Sequence, residues 1–328
     1  YFKKDSKDLL FDVSQPASVG VTSIIQNIGK VTNSGVEIEL DYNAFKNKDW
    51  SVSVGANATF VKNKIKNLPA TMKENGYISG SKKWLEGKSI YEFWLRQWHG
   101  VDPQTGDGLY VADVSKYNQG NIGTGDGNIT QSQFDEYKKT VVTIDGKELT
   151  NSYTYAKYDF SGSSIPDVFG GFNVRVSYKN FDLAAVFSYQ LGGQVLDTNY
   201  ATMMSMTEFG YAQSPDLLKA WKQAGDITEV PRIDNSAAHT TNIGQSYSTR
   251  WLTSSDYLNL RSVTIGYQFP KAWLSKVMLK SARLNLTAEN LFMLKARQGL
   301  NPMANYSGVT YNEYMPSRNI TLGLNVSF

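Results

Sequence analysis

Apolar and polar residues alternate one for one along several stretches of this chain, which is the spacing an extended strand needs to place one kind on each face. Val36, Ile38, Leu40 and Tyr42 alternate with Glu37, Glu39 and Asp41. Trp50, Val52, Val54, Ala56, Ala58 and Phe60 alternate with Ser51, Ser53, Gly55, Asn57 and Thr59. The pattern returns with Phe172, Val174, Val176 and Tyr178, with Leu284, Leu286 and Ala288, and with Ile320, Leu322, Leu324, Val326 and the terminal Phe328. The polar sides carry Glu, Asp and Arg and need water. The apolar sides need either a second sheet, as in a sandwich, or hydrocarbon.

Connection lengths separate these two solutions. Short links at 43–49 and 179–180 alternate with very long ones at 113–168 and 191–256. Outer-membrane barrels alternate in this way, with short periplasmic turns and long extracellular loops, and sandwiches rarely do. If the chain ends on the periplasmic side, strands near 319–328, 257–269, 169–178, 92–99 and 35–42 run downward. Those near 282–294, 181–190, 108–112, 50–62 and 1–11 run upward. Every long link then falls outside the cell. The reading is all-β: an antiparallel transmembrane β-barrel contributing about ten strands, with residues 1–328 as the C-terminal portion of a larger barrel.

Local irregularities fit the same picture. In Asp256–Phe269 the apolar phase switches between Leu258/Leu260 and Val263/Ile265/Tyr267, which predicts a bulge near Arg261. After Pro270, Trp273, Leu274 and Val277 have helical spacing and predict one or two turns at the rim. Tyr42, Trp50, Phe60, Tyr178, Phe181 and Tyr189 stand near strand ends, where barrels carry aromatic girdles. On this reading the lipid-facing set is Val36, Ile38, Leu40, Val52, Val54, Val174, Val176, Leu284, Leu286, Leu322, Leu324 and Val326.

Composition narrows the chemistry. The chain has 27 glycines, 20 tyrosines and 15 phenylalanines, which favour strands and turns. A net charge of +3 with interleaved acids and bases argues against a nucleic-acid partner. There is no cysteine, and His99 and His239 are the only histidines, so no metal centre and no cofactor is expected. No run approaches the roughly 18 apolar residues of a spanning helix, a criterion that does not apply to barrels.

Enzymatic constellations are absent. Glu37 and Glu39 share one strand face, whereas a glycosidase pair brackets a bond from separate elements. Neither histidine neighbours a nucleophile-elbow pattern, so catalysis is not expected. The stretch around Asp126 imitates a calcium loop, but Ile122 and Gln133 occupy ligand positions, which leaves a Gly/Asn turn. Residues 102–108 also read as a turn. Binding is better supported. Trp84, Trp94, Trp98, Tyr200, Tyr247, Trp251, Tyr306, Tyr311 and Tyr314 lie in the long segments among amides, and flat apolar rings beside amides suit sugars, and peptides too. In residues 214–223, Leu217, Leu218 and Trp221 have helical spacing suited to docking on a wall or a lid.

Six segments, NIGKVTNSGVEIEL, HGVDPQTGDGLY, YKNFDLAAVFSYQLGGQ, DYLNLRSVTIGYQFP, RLNLTAENLF and NITLGLNVSF, together resemble the C-terminal half of SusC-like TonB-dependent outer-membrane transporters of Bacteroidetes. The resemblance implies an outer-membrane barrel of 22 strands. It also implies an N-terminal plug, a SusD-like surface lipoprotein as lid, and energy from TonB–ExbB–ExbD through upstream sequence. The substrate would be an oligosaccharide or, alternatively, a peptide, and pairs of SusCD complexes would form dimers. Phe328 resembles the terminal signal read by the barrel assembly machinery. The competing reading is a secreted, soluble β-rich carbohydrate-binding or adhesive module.

Overall fold

The computed structural model of the 328-residue chain describes residues 1–14, 20, 23–206, 210, 212–236, 239, 243–244, 247–311 and 313–328. Eight antiparallel strands stand side by side in chain order as one wall. They are β1 (Phe2–Ser14), β2 (Ser23–Lys46), β3 (Trp50–Asn67) and β4 (Val168–Tyr178), followed by β5 (Phe181–Leu191), β6 (Tyr257–Gln268), β7 (Ser281–Glu289) and β8 (Asn319–Ser327). Met293–Lys295 continues the line of β7 and pairs with the start of β6.

The count of about ten wall strands is therefore corrected to eight. Glu92–Arg96 and Gly108–Val111 are strands, but they pair in small separate sheets. Their apolar residues are covered by protein: Phe93, Leu95, Leu109 and Tyr110 are all buried. Alternation alone does not reveal what covers the apolar face, so a buried strand in a loop unit reads like a wall strand. The wall steps directly from β3 to β4, with Phe169 opposite Thr59 and Tyr178 opposite Trp50. Removing two neighbouring strands of opposite direction leaves the direction of every other strand unchanged. Links 47–49, 179–180 and 269–280 fall at one end of the wall, and 68–167, 192–256 and 290–318 at the other.

Register aligns the apolar positions across strands. Val54, Val174, Ala185, Val263, Ala288 and Ile320 follow one another through successive pairs. Among the described residues no second layer covers this face: Leu322 is 69% exposed, Leu324 63% and Leu40 65%. At the short-turn end Trp50 meets Tyr178 with ring centroids 4.4 Å apart, and Phe181 meets Tyr267 at 4.5 Å. From Trp50 to Phe60, at about 3.3 Å per residue and a tilt of about 45°, β3 rises roughly 25 Å, the height of a barrel's apolar band.

The bulge falls where the phase change places it. Val186 pairs with Ser262 and Phe187 with Leu260, leaving Arg261 as the extra residue. Opposite it the β7 line breaks at Asn290 (φ 51°), whose amide donates to the Arg261 carbonyl at 3.0 Å. The predicted turns at the rim appear as a single helical turn at Lys271–Leu274 and a 3-10 turn at Ser275–Val277. On the polar face Arg283 of β7 reaches over β6 to Asp182 of β5 at 2.7 Å. The pair crosses above Gly266, where a Cβ would collide with both side chains.

Candidate functional site

The three longest links fold into one unit above the wall. Asn63 near the end of β3 fastens it: its amide donates to Asn33 at 2.7 Å, and its carbonyl accepts from Ser89 Oγ and the Ile90 amide, each at 3.0 Å. One hydrophobic core joins all three links, with Phe93 and Leu95 from the first, Leu196 and Trp251 from the second and Val309 from the third. Backbone bonds tie the last two together, from the Leu196 amide to Gly308 O at 2.7 Å and from the Thr310 amide to Leu196 O at 3.1 Å. A second core packs Tyr117 and Tyr155 against Tyr137 of helix α1 (Gln131–Thr140), and burial pushes the Tyr137 hydroxyl up to about 12.

Residues 102–107 form the predicted turn. Asp102 accepts from the Gln104 amide at 2.8 Å and the Thr105 hydroxyl at 3.0 Å. The segment 214–223, a 3-10 helix over Pro215–Lys219, docks on this turn through Trp221 Nε1, which donates to Pro103 O at 3.0 Å. The turn around Asp126 leads into α1, whose N-terminus carries a reciprocal Thr130–Gln133 capping box. Among the described residues no group of His, Asp and Glu is placed to hold a metal ion.

Two adjoining clefts open in the unit. The first, about 380 Å³, is lined by Trp98, His99, Tyr200, Glu229, Arg250, Trp251 and Arg297 among others. The second, about 350 Å³, shares Tyr200 and Arg297 and adds Asp197, Asn301, Glu313 and Tyr314. Tyr200 rises on the short helix α2 (Thr198–Met203), capped by Asp197, which accepts from the Tyr200 amide at 3.0 Å. The Arg297 guanidinium lies 3.5 Å over the Tyr200 ring and donates to Asp197 at 3.2 Å. The Tyr200 hydroxyl donates to Asp216 at 2.8 Å, and burial together with that carboxylate raises its pKa. Arg250 rests on Trp98 (4.7 Å) and Trp251 (4.3 Å) and gives one N–H to Ile243 O at 3.2 Å. Burial lowers its pKa to about 10, so it stays charged at neutral pH.

Of the nine aromatic residues singled out from sequence, four gather here: Trp98, Tyr200, Trp251 and Tyr314. Trp251 is only 2% exposed, so it serves mainly as core and offers an edge. The other five lie elsewhere. Trp84 donates to Ile90 O at 3.1 Å, and Trp94 packs on Tyr158 and Phe160. Tyr306 meets Tyr91 edge-on at 5.1 Å, while Tyr247 and Tyr311 are exposed. Arg250 and Arg297 are not legible in the sequence. Both sit in irregular segments with no periodicity, and only the fold brings them to the aromatic rings.

The comparisons agree with this architecture. Residues 1–131 match the family model described as "TonB dependent receptor-like, beta-barrel". Over its whole length the chain is 28% identical to TonB-dependent receptor P3 of Formosa agariphila and 24% identical to TonB-dependent receptor SusC of Bacteroides thetaiotaomicron. The chain is similar along its whole length to TonB-dependent receptor β-barrels. It spans about a third of the length of these relatives, 32% and 29%. The RagAB peptide importer in its closed-closed state superposes on 99% of the chain with a TM-score of 0.76 and 25% identity, the chain covering 33% of it. The open-open state gives 0.70 at 24% identity. A TonB-dependent receptor barrel resides in the outer membrane of a Gram-negative cell, and the relatives it matches here are receptors and transporters, not enzymes.

Proposed function

We propose that residues 1–328 form the C-terminal portion of the barrel of a SusC-like importer, and that the apolar face of β1–β8 lies against outer-membrane lipid. Upstream sequence supplies the plug and the contact with TonB–ExbB–ExbD, and a SusD-like lipoprotein covers the outer unit. The observation that carries this reading is the uncovered apolar wall beneath a unit with its own separate cores. A soluble adhesive module would bury that face, and a barrel needs it open.

The cargo is an oligomeric nutrient. Aromatic faces beside amides and carboxylates in the paired clefts support an oligosaccharide. The likeness to the RagAB peptide importer supports a peptide as the second reading. The test is uptake by cells carrying or lacking the full-length gene, with labelled oligosaccharides in one arm and labelled peptides in the other. Import that needs the gene and collapses when the proton gradient is removed supports the proposal, and gene-independent uptake of both cargo classes sinks it.

A further inference from the structure

Among the described residues the first cleft holds a cation that no carboxylate pairs. Arg297 is neutralised by Asp197 at 3.2 Å, Arg232 by Asp107 at 3.2 Å and Arg283 by Asp182 at 2.7 Å. Arg250 makes no ion pair among the described residues, although it is largely withdrawn from water. Its guanidinium is held flat by two indole rings, and one of its five N–H groups is engaged by a carbonyl. Arg250 forms part of the wall of the 380 Å³ cleft. Desolvating a charge without a partner is costly, and a planar fork presents paired donors that match a carboxylate.

We propose that Arg250 is the recognition point for a carboxylate on the imported molecule, with Trp98 and Trp251 fixing the fork and Tyr200 forming the facing surface. The proposal rests on the importer reading and adds that the cargo is acidic. A uronic acid and the C-terminus of a peptide present the same group, so the chemistry is shared and the source is left to experiment. Glu229, on the same cleft, disfavours a second negative charge beside it and limits the subsite to one carboxylate.

The test uses the full-length transporter in detergent micelles and reads tryptophan fluorescence, since the two indoles touch Arg250. Glucuronate and N-acetylglycine are titrated against their uncharged counterparts, glucose and N-acetylglycinamide. At least one acid is expected to give a saturable change at concentrations tenfold or more below its neutral counterpart. Arg250→Gln should remove that preference, and Arg250→Lys should restore part of it. A response to glucuronate alone assigns the carboxylate to an acidic sugar, and a response to N-acetylglycine alone to a peptide end. Equal responses to acid and neutral probes, no saturable response, or an unchanged Arg250→Gln variant would overturn the proposal. Heat-modifiable gel mobility of each variant reports barrel formation separately, so a loss of the acidic subsite is distinguished from a failure of the transporter reading.

Discussion

For single residues, depth and burial decide what a substitution does. Val54 sits on the apolar face midway between Trp50 and Phe60, and Thr59 lies on the opposite face across from Glu37. Val54→Arg should destabilise the full-length barrel in lipid by about 2–4 kcal/mol. Thr59→Arg, facing water and a carboxylate, should change it by less than about 1 kcal/mol. Urea titration in liposomes checks both, and equal losses would deny the lipid-facing assignment. Lys82 gives a pH-dependent case. It is buried over the Phe93 ring, donates to Tyr91 O at 2.9 Å, and burial lowers its pKa to about 7 from the ordinary 10.5. Between those values the unfolded chain binds more protons than the folded one, so the stability this group governs rises with pH across that window. Lys82→Met should therefore stabilise the outer unit most at pH 7 and below, with the advantage over wild type closing by about pH 10.5. Thermal unfolding at pH 7 and pH 10.5 reads the difference.

Among elements, the wall and the outer unit differ in how they are held and in how legible they are. The strand faces, the bulge at Arg261 and the turns after Pro270 follow from period and phase, which local sequence records directly. The two strands around Phe93 and Tyr110 carry the same period for a different reason, burial inside the outer unit. Helix α1 announces itself only through Thr130 and Gln133 at capping-box spacing, a signal too short to outweigh the surrounding loop composition. The meeting of Arg250, Arg297 and Tyr200 depends on contacts between segments up to about a hundred residues apart, and no local pattern encodes it. Thr130→Ala should loosen α1 by about 1 kcal/mol, seen as faster amide exchange over 131–140 and nowhere in β1–β8. Asn63→Ala removes the two side-chain bonds that fasten the outer unit to β3 and a third that ties β3 to β2. It should speed exchange at Ile90 and at Ile65, whose amide donates to Lys88 O at 2.8 Å, while leaving the β4–β5 pair protected.

Across the complete chain, an apolar wall and a polar, separately cored outer unit impose opposite solvent demands. The full-length protein should stay monodisperse in detergent and precipitate when the detergent falls below its micelle concentration, as light scattering would show, and a clear solution without amphiphile would contradict the membrane placement. The wall also has two flanks. Among the described residues β1 is paired only through β2, and β8 only through β7. Each therefore presents a row of unsatisfied amides and carbonyls to its surroundings. Taken out of a closed ring, this piece would act as a template at both margins. Copies would zip flank to flank into ribbons, and a short peptide copying β1 would compete for the free side of β8 and cap their growth.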